Sequence, residues 1–228
     1  MLKYSGIFLL MMFAVSAAFA QETDLRAEFS DESSIDFSQP DSDENDFSIF
    51  AAPLSCRRAN SVQIAEVNRG FGKLGKFLTA CAQTTNGSRW CNEVVRPNPA
   101  SSSVFHCTYG TSQPHNLIHP DENTWNNAFK AIAIVEQLES EGIKACTIYN
   151  WWRPEPYNKN VGGAPGRHPF GTSIDVRFCS MQDMERAHSR LCQLRRQGHV
   201  RAVGYYGTTA LHFGIGDRSG NTWGKSCP

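Results

Sequence analysis

The clearest periodic signal lies at residues 122–141, where Trp125, Phe129, Ile132, Val135 and Leu138 fall on one face at helical spacing. Asp121 stands where a cap is expected, and Gly142 where the helix must stop. A second helix follows Ser180, which fits a capping box with Asp183. Its apolar stripe is Met184, Ala187, Leu191 and Leu194, and Gly198 ends it. Residues 61–81 put Ile64, Val67, Phe71, Leu74, Leu78 and Cys81 at helical spacing, weakened by Gly70, Gly72 and Gly75. Elsewhere the period is two. Residues 143–152 are dense in β-branched and aromatic side chains and predict a strand. Ile174, Val176 and Phe178 alternate within 173–178, and Leu211, Phe213 and Ile215 alternate in a final strand. Val200–Tyr206 reads as a strand too, with a turn at Gly207–Thr209. Residues 153–172 form a Pro/Gly-rich loop, and 84–120 predict irregular structure pinned by Cys91 and Cys107. This order predicts an α+β domain, a small antiparallel sheet with flanking helices.

The same alternation picks out polar residues. With Ile174, Val176 and Phe178 on the core face, Asp175 and Arg177 point the other way. With Leu211, Phe213 and Ile215 in the core, His212 also faces away. If the two strands are neighbours, Asp175 and His212 share one open face. His168, seven residues before Asp175 in the Gly-rich loop, can fold back as a third ligand. Two imidazoles and a carboxylate are a common catalytic zinc set with a fourth position open.

Composition changes the picture at the N-terminus. Lys3, the apolar run Gly6–Val15 and Ala18-Phe19-Ala20 read as an export signal over 1–20. The run falls short of the roughly twenty apolar residues a membrane span needs. Residues 21–50 hold ten acidic residues and one basic one, the composition of a disordered leader or propeptide. Residues 51–228 then form one domain with twenty basic and twelve acidic residues, a net of +8. That charge suits an anionic polymer such as cell wall or nucleic acid. All eight cysteines lie beyond the signal, and an even count in an exported chain argues for up to four disulfides of open pairing.

The stretch N-W-W-R-P-E-P-Y-N-K-N-V-G-G-A-P-G-R-H-P-F-G-T-S-I-D-V, followed by V-G-Y-Y-G-T-T-A-L-H-F-G-I-G, resembles the zinc D-Ala-D-Ala carboxypeptidase/endopeptidase group. That group cleaves peptidoglycan peptides and shares its fold with lysostaphin-type enzymes and the hedgehog signalling domain. The resemblance spans about residues 124–224 and leaves 51–120 unrecognised. It implies a hedgehog/D-Ala-D-Ala peptidase-like fold with Zn2+ held by His168, Asp175 and His212. It also implies that Arg153 binds a substrate carboxylate through its planar guanidinium. Tyr205 and Tyr206 would line the cleft, and Gly162, Gly163 and Gly171 would let the backbone turn beside the metal.

The chain departs from the group's pattern at several positions. Gly166 replaces a serine, Ser173 an alanine and Gly214 an aspartate. Thr209 and Ala210 stand where related enzymes often carry a Glu or His that takes a proton from water. Asp217 and His119 are the substitute bases, reached by elimination; His106, His115, His188 and His199 carry no clear motif. The expectation is a secreted or periplasmic peptidase of peptidoglycan peptides, with no nucleic-acid partner. The rival is a wall-peptide-binding protein that keeps the metal and does not cut.

Overall fold

A computed structural model of the chain describes residues 56–96, 102–111, 116–216 and 221–227. The signal at 1–20, the acidic leader at 21–50, His115 and Asp217 lie outside the described residues.

The architecture is α+β, a small five-stranded mixed sheet with flanking helices. The 61–81 periodicity resolves into two helices, α1 (Ser61–Phe71) and α2 (Leu74–Thr84). The break falls at Gly72, where the Gly72 N–H donates to the Asn68 carbonyl and the Lys73 N–H to the Gly70 carbonyl, closing α1. It moves the buried face: Val67, Phe77 and Cys81 are in the core, while Ile64 and Phe71 of the expected stripe are exposed. Asn60 caps α1 in a full capping box with Gln63. Gly70 is needed for contact, since a Cβ there would lie 1.9 Å from the Ile118 carbonyl oxygen. The expected irregular stretch holds two short helices, α3 (Trp90–Glu93) and α4 (Ser102–Tyr109).

A 3-10 turn at Glu122–Thr124 leads into α5 (Trp125–Ser140), whose predicted stripe is buried throughout. Asp121 occupies the cap position, but its side chain makes no capping hydrogen bond. Then follow β1 (Ala145–Asn150), α6 (Tyr157–Asn160), a 3-10 turn at His168–Phe170, β2 (Ser173–Phe178) and α7 (Met181–Arg196). Ser180 caps α7 by accepting from the Asp183 N–H. The Asp183 carboxylate does not return to Ser180 N–H; it takes the Ser180 hydroxyl and the Lys144 N–H. The chain closes with β3 (Ala202–Tyr205), β4 (Ala210–Gly214) and β5 (Thr222–Trp223).

The sheet order is β1-β2-β4-β3-β5. It is not wholly antiparallel as expected, because β5 runs parallel to β3. Two residues are too few for alternation to reveal, so β5 left no pattern in the sequence. Ile174, Val176, Val203, Leu211 and Phe213 are all buried, and α5 and α7 pack on the sheet. No helix among the described residues is long and apolar enough to cross a membrane.

All eight cysteines are paired: Cys56–Cys107, Cys81–Cys91, Cys146–Cys179 and Cys192–Cys227. Cys91 and Cys107 do pin the 84–120 region, each to a different partner. Purified oxidised protein should therefore yield almost no free thiol when denatured. Removing the Cys192–Cys227 bridge, which spans 35 residues, should lower stability by about 2–4 kcal/mol in denaturant unfolding. Several free thiols in the first measurement would contradict the pairing.

Candidate metal centre

Strand register assembles the site. Asn150 on β1 pairs with Asp175 on β2, and Asp175 with His212 on β4. His212 pairs with Gly204 on β3, and Gly204 with Trp223 on β5. One row of paired residues thus crosses all five strands, with Asp175 and His212 at its middle.

His168 reaches this row from the loop. Trp151 Nε1 donates to the Gly171 carbonyl (2.8 Å) and Trp152 Nε1 to the Pro169 carbonyl (3.0 Å). The Arg153 N–H donates to the His168 carbonyl (3.3 Å). These three bonds fasten the turn at 168–171 to the end of β1. Gly171 is in the left-handed region (φ 61°), and a Cβ there would press on the Trp151 indole at 3.3 Å. Asn158, fully buried, holds the far side of the loop by donating to the Gly163 and Ala164 carbonyls. The segment at 56–111 supports the loop from behind. Phe77 stacks on Trp151 with ring centroids 5.5 Å apart, and Tyr109 Oη donates to the Glu155 carbonyl.

His168, Asp175 and His212 each offer one ligand atom within 4.8 Å of the others. His168 Nε2 lies 3.1 Å from Asp175 Oδ2 and 3.3 Å from His212 Nδ1. His212 Nδ1 lies 2.9 Å from Asp175 Oδ1. The expected open face is shielded: none of the three side chains has solvent exposure. Burial acts to raise the Asp175 carboxyl, but the charges and hydrogen bonds of His168 and His212 outweigh it and hold it well below the usual carboxylate range.

The residues fit a metal ion. A carbonyl can only accept, so His168 Nδ1 carries the proton in its 2.7 Å bond to the Trp151 carbonyl. In the neutral ring the Nε2 lone pair then faces a carboxylate, an arrangement that a metal cation between them satisfies. Two donors about 2.0–2.1 Å from a tetrahedral ion lie about 3.3–3.4 Å apart, the separation of the two histidine nitrogens here. Asn150 Nδ2 donates to Asp175 Oδ2 (3.1 Å) and Tyr206 Oη to Asp175 Oδ1 (3.3 Å), the outer hydrogen bonds that orient ligands at metal sites. A second group, His188, Cys192 and Cys227, is equally close, but its sulfurs are joined in a disulfide and offer no thiolate.

Among the other predicted residues, Tyr206 touches the cluster and Tyr205 does not. Tyr205 pairs with Leu211, so it lies on the opposite face, where its hydroxyl donates to Glu185 of α7 (2.6 Å). Arg153 is buried at 1 % exposure beside His168 in the backbone. His119 stands one layer out, its ring 5.3 Å from that of Trp152. Burial pushes its imidazole down against the opposing pull of Asp121, and its Nδ1 accepts the Asp121 N–H. The sequence reasoning missed Asn150 and Trp223. Asn150 lies within the strand predicted at 143–152 and could have been found by register; Trp223 sits in a strand too short to detect.

Trp223 lies over Gly204 and against His212, ring centroids 4.8 Å apart. The Arg167 guanidinium stacks on its outer face at 3.9 Å. A Cβ on Gly204 would fall 2.1 Å from the indole. Comparison with known proteins finds no family model, no curated protein and no solved structure that matches the chain.

Gly204→Ala is accordingly expected to displace Trp223 and lower stability by about 1–3 kcal/mol, as overpacking does. Tryptophan fluorescence and thermal unfolding check this; a wild-type spectrum and melting temperature would contradict the contact.

Proposed function

We propose that the protein is an exported zinc peptidase that hydrolyses peptide stems or cross-links of peptidoglycan, with the hedgehog/D-Ala-D-Ala peptidase type of fold. The observation that carries this reading is the cluster of His168 Nε2, Asp175 carboxylate and His212 Nδ1, buried together with an oriented outer shell. It is joined by the spaced motif residues, which follow the order of that peptidase group from Arg153 to Gly216. Four disulfides and the apolar leader with its small-residue end support export.

His168, Asp175 and His212 would hold the ion. Bound there, zinc would supply Lewis-acid chemistry, polarising a scissile carbonyl and acidifying water. The chain's own residues orient the reaction. The Trp151 carbonyl fixes the His168 tautomer, and Asn150 and Tyr206 fix the carboxylate. Arg153, tied to His168 through the backbone, would grip a substrate carboxylate with two parallel hydrogen bonds.

His168→Ala, Asp175→Ala and His212→Ala should each bring bound zinc well below one per chain. Full zinc in any two of them would remove the assignment. Purified peptidoglycan digested with and without chelator, read by mass spectrometry, should release peptides only when the metal is present. Arg153→Lys keeps the charge and loses the fork. It should slow turnover of wall peptides while zinc content and melting temperature stay near wild type. A large fall in melting temperature would assign Arg153 to the fold instead.

A second reading is favoured by one observation. Thr209 and Ala210 provide no titratable group where a base is expected, and the Thr209 carbonyl serves the sheet by accepting from Phe178 N–H. Zinc-dependent binding of wall fragments with no product between about pH 5 and about pH 9 would make the protein a binder.

A further inference from the structure

The two candidate histidines come from different parts of the chain, His168 from a loop and His212 from β4, 44 residues apart. A separate set of side chains joins those parts without using the ligand atoms. Arg167, next to His168, is 5 % exposed, and its guanidinium lies 3.9 Å from the centre of the Trp223 ring. The same Trp223 packs on His212, ring centroids 4.8 Å apart. Trp223 on β5 therefore touches both the residue that precedes one ligand and the ring of the other.

Trp223 is a fixed post. It pairs with Gly204 in the sheet, and its indole lies so close to that residue that a Cβ there would fall 2.1 Å from the ring. The residues behind it are tied down in turn. Gly224 adopts the left-handed region (φ 74°), and a Cβ on it would lie 2.0 Å from the Tyr205 carbonyl oxygen. His188 Nε2 donates to the Lys225 carbonyl (3.2 Å), and Cys227 is bridged to Cys192 of α7. Arg167 is held at its backbone, where its carbonyl accepts from the Phe170 N–H (3.0 Å) and from Thr172 Oγ1 (3.1 Å). The contact between guanidinium and indole thus joins the loop that carries His168 to the sheet that carries His212.

We propose that Arg167 and Trp223 are positioning residues that hold the His168 and His212 imidazoles at ligand separation before the ion arrives, and so set how tightly it is kept. A loop that must be ordered on binding takes that cost out of the affinity, whereas a loop already clamped does not. Outer contacts that orient metal ligands carry roughly 10- to 100-fold in metal affinity. The pair works through shape as well as charge, since a planar guanidinium stacks on an aromatic face and a lysine ammonium is a hydrated point charge. That the held ion is zinc rests on the metal-centre reading; the clamp itself rests on the contacts of Trp223 with Arg167 and His212.

The test compares purified, oxidised wild type with Arg167→Lys, Trp223→Phe, Trp223→Leu and the double variant Arg167→Lys/Trp223→Leu. Zinc dissociation constants are measured by competition with a chromophoric chelator, and amide hydrogen exchange across 168–172 is followed in the metal-free proteins. Arg167→Lys and Trp223→Leu should each weaken zinc binding roughly tenfold or more and quicken exchange in the loop. Trp223→Phe keeps an aromatic face for both neighbours and should stay nearer wild type. The double variant should lose little beyond either single one, because residues that act as a unit are not additive. Wild-type affinity and exchange in Arg167→Lys, or losses that add in full, would overturn the clamp. A wild-type chain that takes up no zinc, with loop exchange still quickened in the variants, would keep the clamp and remove the metal reading.

Discussion

A carboxylate sealed from solvent must find its counter-charge and its donors inside the protein, and Asp175 sets that demand at the centre of the sheet. Removing an ion of this size from water carries a penalty of several kcal/mol unless it is paired and hydrogen-bonded. Asp175 meets the demand from four sides: His168, His212, Asn150 and Tyr206. Each comes from a different part of the chain, so the carboxylate cannot be satisfied until loop, β1, β2, β4 and the end of β3 are all in place. The metal reading begins from this fact.

The surrounding architecture serves that row. Two glycines serve it: Gly204 under Trp223, where a Cβ would clash, and Gly171 beside Trp151, where the backbone turns left-handed. Two tryptophan N–H groups hold the loop that carries His168, and Phe77 from the N-terminal segment backs one of them. Residues 56–111, which match no recognised pattern, are thus part of the scaffold that positions the ligands.

Much of this was readable in the sequence, and the reason differs by element. The stripes of α5 and α7 and the alternation of β2 and β4 were strong because one face of each is buried and the other is not. Since Asp175 and His212 interrupt that alternation on adjacent strands, their shared face followed from period alone, and their direct pairing needed only a register. His168 could be offered from the sequence only as a loop residue free to fold back, and its place is set by side-chain bonds from Trp151 and Trp152. The break between α1 and α2 was hidden by a continuous apolar spacing, which Gly72 overrides. Trp223 and the parallel β5 were invisible, since two residues have no period. Tyr205 and Tyr206 looked equivalent as a pair, yet adjacent positions near a strand end point to opposite sides.

The sheet has one further property, set by its borders. A long bare edge strand invites another molecule to add to it. Here the β1 border is occupied: α3 packs against it, Thr147 bonds to Glu93, and Arg89 reaches the Ala145 carbonyl. The other border, β5, is two residues long and followed four residues later by Cys227, which is bridged to α7. Among the described residues, neither margin offers a long run of free amides and carbonyls on which a fibril could grow. In colloidal terms, the two margins of this sheet are closed to strand addition for as long as the Cys192–Cys227 bridge stays closed.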